Sequence, residues 1–424
     1  MTMAASELII KAQAARTASR GLRNLATVSK NRALSAIADA LENKQADILA
    51  ANALDMKAGH ESGVTDVLLE RLMLNRERLN GMASNVRSIA TLPDPVGETY
   101  DGQKLPNGLR IEHRRVPLGV IGAIYESRPN VTVDIAVLCL KSGNAVVLRG
   151  GKEAVHSNRA LASLLRKAIE NAGVDPEVVQ QIENTNRVAV EQMIKANELF
   201  DLIIPRGGAG LINYVAREAT VPAITGGIGV VHAFVDSSAN IENASEIVFN
   251  SKVQRPTVCN ALDTLLVHAK AAPALLPLTA SKLTMAGVEL RCDQRSLSLI
   301  GPVDARLVKA AQPDDFGQEF LALILSIRVI DSMDDALDHI ERYGSGHTET
   351  IVTENYSNTE RFLNEVDSAV VMVNASTRFN DGAQLGLGAE VAISTNKLHA
   401  RGPMGLRELT SYTWVVRGDG HVRE

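Results

Sequence analysis

VPLGVIGAIYESRPNVTVDIAVLCLKSGNAVVLRG, residues 116–150, decides the fold of this 424-residue chain. Residues 116–125 form an apolar run of strand length, 133–143 carry a helix that stops at a glycine, and 145–150 (AVVLRG) are a second strand. A long helix over 153–173 follows, then short strands near 178–182 and 201–204, a glycine-rich turn PRGGAG at 205–210 and the helix LINYVAREA. Strand and helix alternating through short connections imply right-handed βαβ units and a parallel sheet. Residues 116–230 therefore read as a dinucleotide fold, although G-x-G-x-x-G is absent. Cys139 shares the apolar face of its helix with Ile135 and reads as core.

Upstream, residues 1–92 read as helices. Ser29 is a candidate N-cap for the run 31–56, in which Leu34, Ile37, Leu41 and Ile48 recur at helical spacing. Over 92–112 the composition turns to Pro, Asp, Gly and Asn, and Asp101-Gly102 and Asn107-Gly108 favour tight turns, so a hairpin near 97–115 is expected to leave the body. Downstream, a second α/β unit is expected, with strands at 230–236, after Cys259, and at 328–330, 349–353 and 369–374. Its helices lie at 244–252, 273–286, 333–343 (capped by Asp331 or Ser332) and 358–366. The expected division is a cofactor domain over 1–234 interrupted by the hairpin, a catalytic domain over 235–385, and a return segment over 386–424 that meets the hairpin.

The composition, with 45% hydrophobic and 22% charged residues, is that of a globular protein, and a formal charge of −5 with scattered Lys and Arg leaves no stripe for nucleic acid and no polybasic membrane patch. The first 25 residues mix charge with apolarity where a secretory signal would be continuously apolar, so the expected compartment is the cytoplasm. Cys139, Cys259 and Cys292 show no C-x-x-C spacing, which argues against disulfides and a metal site.

One cysteine stands apart. In SKVQRPTVCNALDTLLVH, residues 251–268, Cys259 lies between a polar turn containing Pro256 and an apolar run, beside Gln254, Arg255 and Asn260 as hydrogen-bond donors. A thiol at the mouth of a strand can be held as a thiolate, whereas most free cysteines are buried hydrophobes; this stretch alone leaves both readings open.

An ordered set of motifs then resembles the aldehyde dehydrogenase superfamily: Pro117-Leu118-Gly119-Val120, Ser142-Gly143-Asn144 before a hydrophobic strand, Arg206-Gly207-Gly208-Ala209-Gly210 opening a helix, Gly226-Gly227, and Cys259. Within it, YESRPNVTVD (125–134), QRPTVCNALDTLLVH (254–268), YGSGHTETIVT (343–353), VNASTRF (373–379) and LGLGAEVAISTNKLHARGPMGLREL (385–409) are similar to the γ-glutamyl phosphate reductases over essentially the whole chain. The resemblance implies a Rossmann-type cofactor domain, an α/β catalytic domain and a small β flap for homo-oligomerisation. It also implies NADPH-dependent reduction of L-glutamate 5-phosphate to the 5-semialdehyde, the second step of proline biosynthesis from glutamate, through a thioester on Cys259. A glutamate 5-kinase is a possible partner. Alternatives are another acyl-phosphate or aldehyde oxidoreductase of the same superfamily, or a cysteine acyltransferase.

Site residues follow from the same resemblance. Main-chain N–H groups at Cys259 and Asn260 would hold the oxyanion; the superfamily's asparagine donor is displaced here by Glu126 or Ser127, which leaves Asn130 as the side-chain candidate, with a plain helix cap as the other reading. The glutamate that activates deacylating water is replaced by Ile224, which suits a reductive enzyme and is equally a packing residue. Arg149 and Lys152 stand where the superfamily has its strand-end Lys-Pro-Ser-Glu, offering cations to a 2′-phosphate, while Arg206, Gly207 and Gly208 face the pyrophosphate and Gly226-Gly227 complete the cofactor turns. Glu319 matches the ribose-binding glutamate, or is surface charge. For the substrate, Asn374, Ser376 and Arg378 follow a buried strand, where a guanidinium can pair with an α-carboxylate, and Lys397, His399 and Arg401, before the Gly402-Pro403 turn, are candidate phosphate partners; His347 either approaches the substrate or caps a strand.

Overall fold

The computed structural model describes residues 3–423 except Gly227. The chain divides into two compact units, the first made of Met1–Thr225, Gly386–Ala392 and Met404–Glu424, the second of Gly226–Leu385 and Ile393–Pro403. The division falls at 225/226, ahead of the expected 234, and the return segment is shared between the units. Among the described residues no helix is long and apolar enough to cross a membrane.

The first unit is organised on a four-stranded parallel sheet in the spatial order Val179–Gln181, Ala145–Gly150, Val120–Tyr125, Leu202–Arg206. Numbered along the chain within this sheet, that order is 3-2-1-4, half of a doubly wound dinucleotide fold. The two central strands are buried along their whole length, which is why they read as unbroken apolar runs. Each fully buried Val or Ile in them contributes on the order of 2 kcal/mol. Gly122 lets the layers close, since a Cβ there would fall 2.6 Å from Ile203 Cδ1 and 2.7 Å from Met193 Cε.

Three expectations need correction here. The run 116–125 is not one strand: the hairpin strand Arg110–Pro117 ends first, and the sheet strand starts at Val120. Gly119 makes the break with φ +134°, and the Asp201 carboxylate that receives the Val120 N–H (2.7 Å) occupies the place of a Gly119 side chain. The helical run over 31–56 is likewise two helices, Thr27–Asn43 and Gln45–Glu61, parted at Lys44 (φ −114°, ψ 25°). Ala26, not Ser29, is the N-cap, because the Ser29 N–H already reaches the Ala26 carbonyl (2.9 Å) inside the first turn.

The hairpin Thr99–Lys104/Arg110–Pro117 is joined by Thr410–Arg417, antiparallel to Arg110–Pro117 from Thr410↔Pro117 to Arg417↔Arg110. His113 packs against Tyr100, Tyr412 and Trp414, with ring centroids 5.1, 4.5 and 4.0 Å away, yet Tyr412 and Trp414 stay more than half exposed.

The second unit holds a seven-stranded sheet in the order Val308–Ala310, Glu289–Cys292, Ile324–Ile330, Thr264–His268, His232–Val235, Thr348–Val352, Val370–Val373, with every neighbouring pair parallel. One face is covered by Ile241–Val253 and Ala272–Met285, whose Val248, Leu275, Leu276 and Leu283 join the core; the other is covered by Met333–Tyr343 and Tyr356–Glu365 through Ala336, Ile340 and Phe362. Ser332 is the N-cap of Met333–Tyr343, accepting the Asp335 N–H (3.1 Å). A smaller antiparallel pair, Ile393–Ser394 with Gly402–Pro403, completes the unit.

Candidate active site

Cys259 lies in the loop between the helix Ile241–Val253 and the amino end of the strand Thr264–His268. The base of this loop is closed twice at Leu262: its N–H reaches the Ser251 carbonyl (3.0 Å) and its carbonyl receives Lys252 Nζ (2.8 Å). Lys252 and Asp263, both buried, stand 3.7 Å apart. Burial pushes the lysine down and the aspartate up, and their mutual attraction opposes both shifts. Asp263 also accepts the main-chain N–H groups of Phe320 (3.1 Å) and Val231 (3.4 Å), tying the loop to two neighbouring segments.

The tip of the loop is fixed from two sides. Ala261 closes a turn onto the Val258 carbonyl (3.1 Å) and leaves Cys259 half-buried. Gly229 lies so close beneath it that a Cβ there would fall 1.6 Å from the Cys259 carbonyl oxygen, and the Gly229 N–H is held by Glu319 Oε1 (3.0 Å). On the other side, the Asn260 amide donates to the Asn380 carbonyl (2.8 Å), and the Asn260 carbonyl receives Thr377 Oγ1 (2.7 Å). The Asn260 side chain is thus structural, while its main-chain N–H has no hydrogen-bond partner among the described residues. The other two thiols are different: Cys139 is fully buried with its pKa pushed far up, and burial raises Cys292 to about 11.

The segment expected to bind substrate packs on the same loop. Ser376 meets Ser251 Oγ (3.1 Å) and caps the short helix Thr377–Phe379, and Arg378 Nε donates to Gln254 Oε1 (2.7 Å). Asn374, at φ 51°, instead clasps both the N–H and the carbonyl of Thr353 (2.9 Å each). Arg401 donates to Asp367 Oδ1 (2.7 Å) and to its carbonyl (2.9 Å), and Lys397 pairs with the same carboxylate. His399 is exposed at φ 69°, and His347 is buried beside Thr348 Oγ1 (2.6 Å). Neither histidine near Cys259 in sequence is placed as a base for it. His232 is bound by Glu349 Oε2 (3.1 Å), and His268 ends the strand that begins after the loop.

In the first unit, the carboxyl ends of Val120–Tyr125 and Leu202–Arg206 lie side by side, where this strand order reverses. The Glu126 N–H reaches the Arg206 carbonyl (3.0 Å), and Glu126 Oε2 receives the N–H of Gly208, the N-cap of Ala209–Glu218. A carboxylate at this helix start marks it as favourable to anions. A Cβ on Gly207 would fall 2.3 Å from that carboxylate oxygen. Lys152 is exposed at the start of Lys152–Ala154, but Arg149 is buried and donates to the carbonyls of Thr185 (2.5 Å) and Asn186 (3.3 Å). Glu153 turns back to accept the N–H (2.6 Å) and hydroxyl (3.0 Å) of Ser127, which sits at φ 50°. Asn130 opens the helix Asn130–Lys141 but is not its N-cap; its amide donates to Asp134 (2.8 Å), whose carboxyl burial raises to about 6. Ile224 is buried, its N–H on the Ile203 carbonyl (2.9 Å). Gly226, in the second unit, lies against the Thr395 main chain, where a Cβ would fall 2.5 Å from the nitrogen; Gly227 is outside the described residues.

Gly229, Ser251 and the Lys252–Asp263 pair are missed by sequence reasoning. The signal for Gly229 is a third glycine in GGIG (226–229), and for the pair, two charges bracketing a loop that joins two apolar elements.

Comparison with known proteins agrees with this fold. The aldehyde dehydrogenase family matches residues 2–304. A γ-glutamyl phosphate reductase of Dehalococcoides mccartyi is 56% identical over 423 residues, covering 100% of both chains, and one of Roseiflexus castenholzii is 54% identical over 413 residues, covering 96% of this chain and 97% of its own. The crystal structure of the Thermotoga maritima γ-glutamyl phosphate reductase superposes with a TM-score of 0.94 at 47% identity, covering 99% of this chain and 100% of that one. An acetylating aldehyde dehydrogenase from Geobacillus thermoglucosidasius, at 19% identity and a TM-score of 0.72 over 99% of this chain and 98% of its own, shares the fold. With its two parallel sheets and this full-length likeness, the chain belongs to the aldehyde dehydrogenase family, among the γ-glutamyl phosphate reductases, and is an oxidoreductase.

Proposed function

We propose that the chain reduces L-glutamate 5-phosphate to L-glutamate 5-semialdehyde and inorganic phosphate with NADPH, and that Cys259 is the nucleophile. The observation that carries this reading is the Cys259 turn itself: a half-buried thiol fixed between Gly229 and the Asn380 and Thr377 contacts of Asn260, while both other thiols are buried. The thiolate attacks the acyl carbon; the bond from that carbon to the phosphate oxygen breaks, and phosphate leaves with the electron pair, giving a thioester. In this scheme the Asn260 main-chain N–H holds the oxyanion, a contribution of about 3 kcal/mol for one preorganised donor. Asn130, whose amide has one hydrogen on Asp134, is the side-chain donor in this scheme. The nicotinamide supplies the hydride that reduces the thioester. Collapse of the resulting thiohemiacetal releases the aldehyde and restores the thiolate. Ile224 provides no base for water, so the thioester survives until it is reduced.

For the cofactor, the first unit's helix start at Gly208 suits a pyrophosphate, with Arg206 and Gly207 beside it and Glu126 giving way. Lys152 reads the 2′-phosphate. The carboxylate next to it, Glu153, is turned onto Ser127 and offers nothing to a ribose diol, which favours NADPH. Arg149 holds the 185–186 loop and does not bind phosphate in this reading. In the second unit Glu319 and Gly226 serve the nicotinamide side. Arg378 and Ser376, on the Cys259 loop, receive the amino-acid end of the substrate, whereas Asn374 shapes that segment; His399 and Arg401 belong to the outer turn. The three-stranded sheet mediates homo-oligomerisation.

The test compares two alanine variants. Cys259→Ala is expected to lose reductase activity to the trace level while staying folded, and Cys292→Ala to keep turnover within a few-fold of the parent. Activity retained by Cys259→Ala and lost by Cys292→Ala would overturn the assignment.

A further inference from the structure

Cys259 stands before the amino end of its strand; the carboxyl ends of Glu289–Cys292 and Ile324–Ile330 in the same sheet take no part in the chemistry above. There, a cavity of about 300 Å³ is lined by Arg295, Arg328, Asp338, His339, Arg342 and Tyr343, among others. Its position follows from topology. Glu289–Cys292 and Ile324–Ile330 are adjacent parallel strands, and the chain leaves the first toward the sheet edge at Val308–Ala310 and the second in the opposite direction, toward Thr348–Val352. Diverging connections open a crevice at the carboxyl ends, the usual ligand position in open α/β sheets. The shorter strand also stops early: Cys292 is level with Ile327, so Arg328, Val329 and Ile330 run past it. Leu297 packs on one face of the sheet, and Ala336 and Ile340 on the other, which leaves the gap between them.

The crevice is lined by three arginines and three aspartates, and they are not all joined in pairs. Arg295 and Asp331 satisfy each other through two bonds (2.8 and 2.7 Å), and Asp335 receives Ser332 Oγ (2.9 Å) and the Asp331 N–H (3.2 Å) at the helix start. Arg328 meets only neutral groups: it donates to His339 Nδ1 (3.1 Å) and stands 5.8 Å from the Phe316 ring centroid. Burial keeps His339 uncharged, with its pKa pushed down to about 3. Arg342, one turn beyond His339, lies 5.2 Å from the Tyr343 ring centroid. Among the described residues, neither Arg328, Arg342 nor Asp338 makes an ion pair. Asp335 makes none either, but its carboxylate is engaged by two donors at the helix start, which leaves two guanidinium groups and the Asp338 carboxylate facing a single small cavity. That pattern complements a molecule carrying both a carboxylate and an ammonium group.

We propose that this crevice is a second binding site, separate from Cys259, for a small zwitterion of the free amino-acid type, with its carboxylate on Arg328 and Arg342 and its ammonium on Asp338. The volume is at the low end for ligand pockets and restricts the site to small molecules.

Isothermal titration calorimetry on the intact protein tests it, with L-alanine, β-alanine and L-proline as zwitterion probes and acetate and inorganic phosphate as anions without an ammonium. At least one zwitterion is expected to bind in the millimolar range or tighter. Arg342→Gln and Asp338→Asn, both on the exposed side of the helix, should each weaken that binding about tenfold or more, roughly the loss of one charge-assisted contact, with unchanged turnover in the absence of probe. Acetate should bind more weakly and be indifferent to Asp338→Asn. Three results would overturn the proposal: no heat from any zwitterion, binding undiminished in both variants, or acetate and phosphate binding as tightly as the zwitterions, which would make this a plain anion site.

Discussion

At the scale of single residues, Gly229 is as constrained as the thiol it supports. A methyl group at Gly229 cannot coexist with the Cys259 carbonyl 1.6 Å away, and both atoms are main chain or Cβ, so no rotamer change relieves the clash. Gly229→Ala is expected to shift the Cys259 turn, lowering kcat at least about 100-fold and stability by about 1–3 kcal/mol, the usual cost of overpacking; steady-state rates and thermal unfolding together measure it. Alkylation of Cys259 by iodoacetamide should change rate in this variant, and an unchanged alkylation rate with full activity would show that the turn does not depend on Gly229. Lys152 belongs to the same scale. Lys152→Glu should raise the KM for NADPH far more than that for NADH, since a carboxylate repels a 2′-phosphate and not a hydroxyl; equal changes for both cofactors would mean that Lys152 does not read that phosphate. That Cys259 differs from the two buried thiols was only half legible: its own stretch left a buried cysteine open, and the ordered family motifs singled it out. Gly229 was not legible, because nothing in GGIG says which main-chain atom comes close.

At the scale of elements, the loop between Ile241–Val253 and Thr264–His268 owes its closure to a buried ion pair. Lys252→Met leaves the Leu262 carbonyl without its donor and Asp263 without its counter-charge, at a cost of about 3–5 kcal/mol. The pH dependence has a definite sign. Burial already raises Asp263 to about 6 with the lysine present, and removing the lysine raises it further. A carboxyl whose folded pKa exceeds its unfolded value gains stability as pH falls through the folded pKa, so the deficit of Lys252→Met should shrink between about pH 7 and 5. Urea unfolding at several pH values measures this; a deficit that grows on acidification would contradict the pairing. Legibility differed among elements for physical reasons. The doubly buried strands announce themselves as apolar runs, and the hairpin through its Asn107-Gly108 turn; Asp101-Gly102, expected as a second turn, is instead an irregularity inside the strand Thr99–Lys104. The strands Glu289–Cys292 and Val308–Ala310 lie near one edge of the sheet and are only four and three residues long, too short for their polar–apolar alternation to stand out. The break at Gly119 was hidden because a strand leaving one sheet and a strand entering another are both apolar.

At the scale of the whole molecule, the α/β architecture was readable from alternating strand and helix, and the family from long local motifs, but the destination of the return segment was not: residues 386–392 and 404–424 rejoin the first unit while 393–403 belong to the second. Such long-range returns leave no local periodicity to read. The terminal strand Thr410–Arg417 is the outer strand of a three-stranded sheet, and its exposed Tyr412, Trp414 and Val416 are the apolar side chains an assembly would cover. Deleting the residues after Thr410 should give smaller species by light scattering and a lower Tm, and an unchanged assembly would remove this strand from the interface. The proposed chemistry at Cys259, with no deacylating base, makes a stricter demand on the intact protein. With L-glutamate 5-semialdehyde and NADP⁺, absorbance at 340 nm should rise only when inorganic phosphate is present, because in the proposed scheme phosphate, not water, resolves the thioester. Sustained NADPH formation in phosphate-free buffer would mean that water does so, and would contradict an acyl-phosphate reductase.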